Sequence, residues 1–322
     1  MLQLVVLLFL LPFAGWAGEL LRLEANLDAM GSTYSVAVYS DNRERMEYAV
    51  EAAFAEVRRL DRMLSNYRPN SEWSRVNREA AERPVRVSKE LFDLLAACLA
   101  YSRQSEGAFD ISVGPLMKVW GFYKGTGNLP SKEEVSGALQ KVGYRNIVLD
   151  AENQTVRFTR PGVEIDPGGI GKGYAVDRMI AVLKENGITS ALVSAAGSSI
   201  YGLGSPASEI RGWEVRIRDP RDETKTVEQL FLKDESLSTS GSYEKFFMAG
   251  GKLYTHIMDP RTGYPAQGML SVSVVAPKTI ESEAWTKPFF ILGRQWAAKH
   301  KPKHLRVFFC EDKAELACAW LQ

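Results

Sequence analysis

The sequence predicts an α+β fold: a mostly antiparallel sheet with helices that are grouped along the chain. Two observations indicate this class. Helical periodicity is concentrated before residue 190, and the rest of the 322-residue chain is rich in short β-type runs separated by turn residues. Strands do not alternate regularly with helices, as they would in a parallel sheet. No repeat, low-complexity segment or linker marks a domain boundary.

The first elements follow from hydrophobic spacing. The alternating run STYSVAVYS predicts a strand over 32–40, and a long amphipathic helix with Asp41 or Asn42 as its N-cap follows it. The apolar residues on one face of this helix recur at steps of three and four: Met46, Val50, Ala53, Phe54, Val57, Leu60, Met63 and Leu64.

The later elements follow from caps, turns and β-rich runs. A second helix is predicted over residues 88 to about 105, and a third begins at a capping box formed by Ser131 and Glu134. Residues 146–160 predict a β-hairpin, and a helix that ends at Gly187 follows a glycine-rich turn. The β-rich runs beyond this helix are SALVSA, WEVRIRDP, TVEQLFLK, KLYTHIMDP and MLSVSVVAP.

Composition argues against several functions. Lys and Arg number 40 against 39 Asp and Glu, and the chain has no clustered basic run, so nucleic-acid binding is not expected. Three cysteines are too few for a disulfide scaffold: Cys98 is expected in the core, and a Cys310–Cys318 bridge stays open for an exported protein. Three histidines without cysteines at ligand spacing argue against a structural zinc site.

The N-terminus begins MLQLVVLLFLLPFAGWAGE, an apolar run too short to span a bilayer comfortably, with small residues that suit cleavage after Ala17. This predicts a signal peptide over 1–17 and one domain over 18–322. No Lys or Arg precedes the run, so a buried N-terminal helix is the alternative. A signal would place the protein in the periplasm or on the outer face of the inner membrane, and an uncleaved signal would attach it to that membrane.

The stretch EIDPGGIGKGYAVDR (164–178) places glycines and a lysine at the start of a predicted helix. It is not a Walker A loop, because Asp166 stands where that motif needs its first glycine and Gly173 follows Lys172. Its glycines do not have the Rossmann spacing either. A glycine turn before a helix, with a lysine in the first helical turn, suits an anion. A turn that only allows tight packing is the alternative.

This stretch resembles the segment D-x-G-G-I-x-K-G-Y-A-V-D of the ApbE family, the FAD:protein FMN transferases. Seven other stretches resemble family motifs in the same order: MGSTYSV (30–36), SNYRPNSEWSRVN (65–77), SEGAFDISVGPLMKVWGF (105–122), WEVRIRDP (213–220), LSTSGSYEKFF (237–247), THIMDPRTGYP (255–265) and SVSVVAP (271–277). The resemblance covers roughly residues 30 to 295. It implies a T-fold-like flavin transferase architecture.

The resemblance implies that the chain transfers FMN from FAD to a threonine hydroxyl of an acceptor flavoprotein through a phosphoester bond, with release of AMP. Such a site must hold a dinucleotide, neutralise its pyrophosphate and deprotonate the hydroxyl. The acceptor is expected in a membrane electron-transfer complex. Two alternatives stay open: a periplasmic FAD-binding protein that has lost metal-dependent transfer, and a metal-dependent FAD pyrophosphatase.

Residue by residue, the resemblance assigns FAD contacts to eight positions: Met30, Tyr67, Ala108, Phe109, Asp110, Asp166, Lys172 and Ile257. The tyrosine offers a ring face to a flat heterocycle, and the aspartates can accept hydrogen bonds from ribityl, ribose or adenine groups. The lysine is the expected phosphate partner.

His256 is the candidate catalytic base, because an imidazole can take the threonine proton at neutral pH. A structural histidine bonded to the DPRTG turn is the alternative. A pair between Arg261 and Asp259, and the STS run over 238–240, are expected to support the site.

The family's Mg²⁺ site is where this chain departs from the pattern. Aligning SEAWTKPFFILG (282–293) with the family helix assigns the metal to Glu283, Thr286, Lys287 and the carbonyl of Gly169. Glutamate keeps a hard oxygen ligand, but an ammonium group cannot ligate magnesium. Shifting the alignment by one residue restores a threonine but places Ser282 in the carboxylate position.

Lys287 could instead supply a fixed positive charge near the phosphates, or form a surface i,i+4 pair with Glu283. Pro288 predicts a helix that begins late, with Thr286 as its cap. In SAAGSSIYGLG (194–204), Ala196 stands where many family members carry glycine, which is expected to narrow the adjoining pocket.

Overall fold

An eight-stranded antiparallel sheet forms the centre of the fold. The computed structural model describes residues 20–322, and the predicted signal peptide lies outside them. The strands in chain order are β1 (Leu21–Ala29), β2 (Ser32–Ser40), β3 (Val85–Arg86), β4 (Ile147–Asp150), β5 (Thr155–Phe158), β6 (Ser190–Ala195), β7 (Ser199–Leu203), β8 (Trp213–Arg218), β9 (Thr226–Leu232), β10 (Glu235–Gly241), β11 (Phe246–Ala249), β12 (Lys252–Thr255), β13 (Met269–Ala276), β14 (Arg306–Glu311) and β15 (Ala317–Trp320).

The large sheet has the strand order β1-β2-β6-β7-β10-β13-β14-β15. Each neighbouring pair is antiparallel, which confirms the predicted sheet type. Smaller sheets are formed by β3-β5-β4, by β8-β9 and by β11-β12. Cys310 and Cys318 lie opposite each other on the last two strands and form a disulfide, whereas Cys98 is buried in the core as expected.

The helices are grouped, as predicted, with five of them before residue 140. Those in the described residues are α1 (Arg43–Leu64), α2 (Glu72–Glu79), α3 (Lys89–Gln104), α4 (Gly114–Val119), α5 (Lys132–Leu139), α6 (Gly171–Glu185) and α7 (Thr279–His300). Asn42 caps α1 by accepting a hydrogen bond from the Arg45 backbone N–H, and the Ser131/Glu134 capping box starts α5. None of these helices is both long and apolar enough to cross a membrane.

The core places α6 and α7 side by side. Apolar residues of α1, α3 and α6 form the largest buried cluster together with β2 and β6. A second cluster joins α7 to β13 and β14 through residues such as Trp285, Phe289 and Val274. The site described below lies where these two helices begin.

The prediction of a late start for α7 was wrong. The helix begins at Thr279, ahead of Pro288, and Lys278 at its N-cap makes no side-chain capping bond. The cap comes from α6 instead: Asp177 accepts hydrogen bonds from the backbone N–H groups of Thr279 (2.7 Å) and Ile280 (2.9 Å). A carboxylate at this position satisfies orphan N–H groups and interacts favourably with the helix dipole.

Candidate active site

The glycine turn allows α6 and α7 to approach closely. A Cβ atom on Gly173 would lie 2.5 Å from the carbonyl oxygen of Thr279 and 2.8 Å from Oε2 of Glu283, so no larger residue fits without displacing α7. The Gly173 backbone N–H donates a hydrogen bond to this Oε2 atom. Gly173 therefore allows tight packing, as the alternative interpretation of this turn proposes. The same contact positions Glu283 next to the turn.

Asp166 links the glycine turn to two other segments. Its Oδ2 atom accepts hydrogen bonds from Asn66 Nδ2 (2.8 Å) and the Tyr123 hydroxyl (2.6 Å), and its Oδ1 atom accepts one from the Gly168 backbone N–H (2.7 Å). Burial raises the pKa of Asp166, and these donors act in the opposite direction. Because the Asp166 carboxylate already accepts three hydrogen bonds from the protein, it has little capacity left to accept one from a ligand.

Asp110 is engaged in a similar way. Oδ1 accepts hydrogen bonds from the backbone N–H and the hydroxyl of Ser112, both at 2.7 Å, and Oδ2 accepts one from the Tyr144 backbone N–H at 2.6 Å. Burial raises the pKa of Asp110 to about 6. Its observed contacts shape the 110–112 turn, and its contact with FAD stays a prediction.

Met30 and Phe109 flank the glycine turn. The Met30 Cε atom lies 3.5 Å from the position that a Cβ on Gly171 would take, and Phe109 Cε2 lies 3.5 Å from the equivalent position on Gly169. Met30 has a left-handed backbone (φ 53°), and its sulfur accepts a hydrogen bond from the Tyr34 hydroxyl. The structure therefore brings two predicted FAD residues to the turn.

The other predicted FAD residues differ in exposure. Ala108 and Ile257 are buried, whereas Tyr67 is 76% exposed. The Tyr67 ring stands edge-on to that of Tyr123, with centroids 6.4 Å apart. Both rings line a cleft of about 440 Å³, to which Arg78 also contributes.

Lys172 reaches from the first turn of α6 to the turn between β6 and β7. Its Nζ atom donates a hydrogen bond to the Ser198 hydroxyl. This partner is neutral, so the hydrogen bond leaves the ammonium charge uncompensated. In the same turn Ala196 and Gly197 have left-handed backbones, with φ of 52° and 68°. Ala196 is exposed, and the prediction that it narrows a pocket stays a prediction.

His256 is held as a neutral base. Its Nδ1 atom lies 3.1 Å from the carbonyl oxygen of Lys245. A carbonyl only accepts, so Nδ1 carries the proton and Nε2 keeps its lone pair. Burial, together with the positive charges of Lys245, Lys287 and Lys172, lowers the pKa of His256 to about 4, and the hydrogen bond with the Lys245 carbonyl acts in the opposite direction. The observed partner is Lys245 rather than the DPRTG turn, in which Arg261 and Asp259 form the predicted pair (2.9 and 2.8 Å).

Three of the four residues assigned to magnesium come together. The Lys287 Nζ atom lies 3.8 Å from Oε1 of Glu283 and donates to the Glu283 carbonyl oxygen at 3.0 Å. Lys287 Cε lies 3.7 Å from the position that a Cβ on Gly169 would take. Glu283 is 2% exposed, so the alternative of a surface pair was wrong. Burial lowers the pKa of Lys287 to about 8, and the negative charge of Glu283 acts in the opposite direction.

Thr286 is directed elsewhere. Its hydroxyl is buried, lies 2.7 Å from the Ser240 hydroxyl and donates to the Glu283 carbonyl at 2.8 Å. Ser282, the candidate in the shifted alignment, bonds the Ser238 hydroxyl (2.8 Å) on β10. Within residues 20–322, no three His, Cys, Asp or Glu side chains are grouped as metal ligands. A buried carboxylate that faces an ammonium group at 3.8 Å does not fit a divalent cation.

The family model described as ApbE matches residues 30–309. The chain belongs to the ApbE family. It is 32% identical over 279 residues to the FAD:protein FMN transferase of Treponema pallidum, an alignment that covers 82% of this chain and 77% of that protein.

Two solved ApbE structures are similar in fold. The ApbE protein of Thermotoga maritima matches with a TM-score of 0.83 and 30% identity, covering 92% of this chain and 96% of that one. The flavinyl transferase ApbE of Pseudomonas stutzeri, in its apo form, matches with a TM-score of 0.83 and 27% identity, covering 94% and 95%. The predicted fold class and family are confirmed.

Five residues of this ApbE chain support the site without having been predicted to do so: Asn66, Tyr123, Asp177, Ser198 and Lys245. Four of them lie inside stretches that had been singled out, and Tyr123 directly follows one. Their position in or next to these stretches is the sequence feature that could have indicated them. The partners could not be predicted, because the hydrogen bonds join positions far apart in sequence.

Proposed function

We propose that this chain transfers FMN from FAD to a threonine hydroxyl of an acceptor flavoprotein and releases AMP. One observation carries the proposal: His256 keeps its Nε2 lone pair because its Nδ1 bonds the Lys245 carbonyl, and the positive charges of Lys172, Lys245 and Lys287 act on its imidazole. This arrangement supplies a base for a hydroxyl and positive charge for a pyrophosphate. Family membership and relatives named FAD:protein FMN transferases support it.

The FAD pyrophosphate would lie over the glycine turn. Lys172 and the N-terminus of α6 provide an ammonium group and a helix dipole for it. Met30 and Phe109 would pack against the nucleotide on either side of the turn. The cleft that Tyr67 and Tyr123 line is a site for a ring system of the ligand, because an exposed tyrosine ring can stack on a flat heterocycle.

His256 would act as the general base. The threonine oxygen attacks the phosphorus on the FMN side of the pyrophosphate, and its proton moves to Nε2 of His256. The bond between this phosphorus and the bridging oxygen breaks, and AMP leaves with that oxygen. The Lys245 carbonyl fixes the imidazole orientation. A bound pyrophosphate would offset the lysine charges that lower the pKa of His256, which would make it a stronger base when substrate is present.

Magnesium is not assigned a role in this step. The residues that the family resemblance gives to the metal include an ammonium group that already faces Glu283, and the Thr286 hydroxyl is bonded elsewhere. The same departure favours a second candidate function, an FAD-binding protein that does not transfer FMN.

The acceptor and the compartment are also part of the proposal. The apolar N-terminal run supports export to the periplasm or to the outer face of the inner membrane. The Cys310–Cys318 disulfide supports an oxidising compartment. A threonine-bearing flavoprotein domain of a membrane electron-transfer complex would be reached from that side.

The test is covalent flavin transfer. The protein is incubated with FAD and a threonine-bearing acceptor domain, and a denaturing gel is examined for fluorescence at the acceptor's position. The same acceptor with valine in place of the threonine is the control. We expect a fluorescent band only with threonine. FAD bound stoichiometrically without AMP release would select the binding protein, and free FMN and AMP without acceptor would select a pyrophosphatase.

A further inference from the structure

We propose that the Lys287 ammonium group binds the FAD pyrophosphate in place of a divalent metal ion, so that this chain binds FAD without Mg²⁺. The inference rests on the proposed function, because it concerns the same pyrophosphate. It begins from the disagreement between the family's metal site and the residues present here.

The position of Lys287 is fixed from two sides. The residue lies one helical turn beyond Glu283 on α7, and its Nζ atom donates to the Glu283 carbonyl oxygen at 3.0 Å. Its aliphatic stem runs against the turn at Gly169. The side chain is 21% exposed, compared with 2% for Glu283. The side chain therefore lies between the carboxylate and the glycine turn, and part of it reaches the surface.

The ammonium group retains donors for a ligand. It has three N–H bonds, and one is used by the Glu283 carbonyl. The 3.8 Å distance to Oε1 of Glu283 is an ion pair but exceeds hydrogen-bond length, and Oε1 has no hydrogen-bond partner among residues 20–322. Two N–H bonds thus remain for an acceptor such as a phosphate oxygen.

Glu283 holds the lysine rather than a metal. Its Oε2 atom accepts a hydrogen bond from the Gly173 backbone N–H, which orients the carboxylate. A buried carboxylate needs a compensating cation, and Lys287 is the cation that faces it. A divalent ion would have to displace this ammonium group or lie beside it against like-charge repulsion.

The charges match a pyrophosphate. Lys287 lies against the glycine turn at Gly169, and Lys172 lies in the first turn of the helix that follows this turn, so both flank the proposed position of the pyrophosphate. They carry two positive charges, and the pyrophosphate diester of FAD carries two negative charges. Lysine is a usual phosphate ligand, as a point charge with several donors.

The first experiment measures FAD affinity by calorimetry on the full chain, without acceptor, in EDTA and in Mg²⁺. We expect the wild-type Kd to agree within about twofold in the two buffers, and Lys287→Met to weaken binding in EDTA about tenfold or more, the loss of one charge-assisted contact. Lys299→Met, an exposed lysine near the end of α7, is the matched control and should bind as wild type. A wild-type Kd that weakens more than tenfold in EDTA would overturn the proposal, as would unchanged binding by Lys287→Met.

The second experiment needs no variant. Mn²⁺ is titrated into the protein–FAD complex and free Mn²⁺ is followed by electron paramagnetic resonance, with FAD alone as the control. We expect as much free Mn²⁺ as with FAD alone, and one tightly bound Mn²⁺ per complex would overturn the proposal. Neither experiment uses an acceptor, so failure of FMN transfer would leave both results standing and would be recognised separately.

Discussion

The two sides of the site are built in different ways. The turn before α6 is held partly by short-range bonds, such as those from the Gly168 N–H to Asp166 and from the Gly171 N–H to the Pro167 carbonyl. The start of α7 is held by residues distant in sequence, namely Asp177 and Gly173. The turn before α6 keeps the family motif, whereas α7 departs from it at Lys287. Because tertiary contacts fix the position of α7, one of its side chains can be exchanged for another with different chemistry while the helix stays in place.

The largest expected effect tests whether the chemistry takes place between the two sides. His256→Gln should lower the rate of AMP release by about 10²–10⁴-fold, because it removes the general base. FAD affinity should change little, since FAD binding is assigned to other residues. Single-turnover AMP release at saturating FAD and acceptor measures this. His304→Gln, an exposed histidine bonded to Glu281, is the control and should be fully active. A rate within threefold of wild type would remove His256 from the mechanism.

The contact between the two sides depends on Gly173. Gly173→Ala should lower the free energy of unfolding by about 2 kcal/mol or more, because the new methyl group meets the Thr279 carbonyl and Glu283. Gly137→Ala in α5 is the matched control, since a Cβ there meets nothing within 4 Å. It should stabilise the protein by about 0.5–1 kcal/mol, the usual helical preference for alanine. Urea unfolding of both variants gives the comparison, and equal changes would contradict the account.

The long-range cap should matter more than a local one. Asp177→Ala removes two charge-assisted bonds to the start of α7 and should cost about 1–3 kcal/mol. Ser131→Ala in the capping box of α5 should cost about 1 kcal/mol. Only the Asp177 variant should also weaken FAD binding, because it releases the helix that carries Lys287. Calorimetric titration of FAD into both variants checks this, and equal FAD affinities would show that α7 is positioned by other contacts.

Acidification should destabilise the ligand-free protein through His256. Burial and nearby lysines lower its pKa from 6.5 to about 4, so the unfolded chain binds a proton in this interval and the folded chain does not. Above pH 6.5 His256 is neutral in both states and does not reduce the free energy of unfolding. As the pH falls from 6.5 towards 4, protonation of the unfolded chain progressively lowers that free energy. The difference in unfolding free energy between wild type and His256→Gln should therefore shift against wild type between pH 7 and pH 5. A difference that does not vary with pH would contradict the assigned environment.

The smallest effect concerns the turn beside Lys172. Ala196→Gly should stabilise the protein by up to about 1 kcal/mol, because glycine adopts the left-handed backbone at φ 52° without strain. Gly197→Ala at φ 68° should destabilise it by a similar amount, although a Cβ there meets nothing within 4 Å. Thermal melts of the two variants should move in opposite directions. Melts that move in the same direction would contradict the assigned strain.

The sequence predicted the elements that local patterns define. Spacing and caps gave β2, α1 and α5 within a residue or two, because Asn42 and Ser131 bond to the helices they precede. The start of α7 could not be predicted in this way, because its cap is 102 residues away in sequence. Pro288 lies inside α7 and does not mark its start.

The candidate site shows the same division. The motifs predict both Lys172 and His256 as site residues, and the positive charge of Lys172 contributes to the lowered pKa of His256. Their partners Ser198 and Lys245 were not predicted, since only the folded chain brings them together. The burial of Glu283 could not be predicted either, because a glutamate four residues before a lysine has the same pattern on an exposed helix.

The most direct test of the central claim measures two products in one reaction. AMP released into solution and flavin covalently bound to the acceptor threonine are quantified together, by chromatography and by mass spectrometry of the acceptor peptide. The account predicts one AMP for every threonine that carries FMN, with both products formed about 10²–10⁴-fold more slowly by His256→Gln. AMP that appears with free FMN, or bound FAD that yields no AMP in the presence of a cognate acceptor, would contradict it.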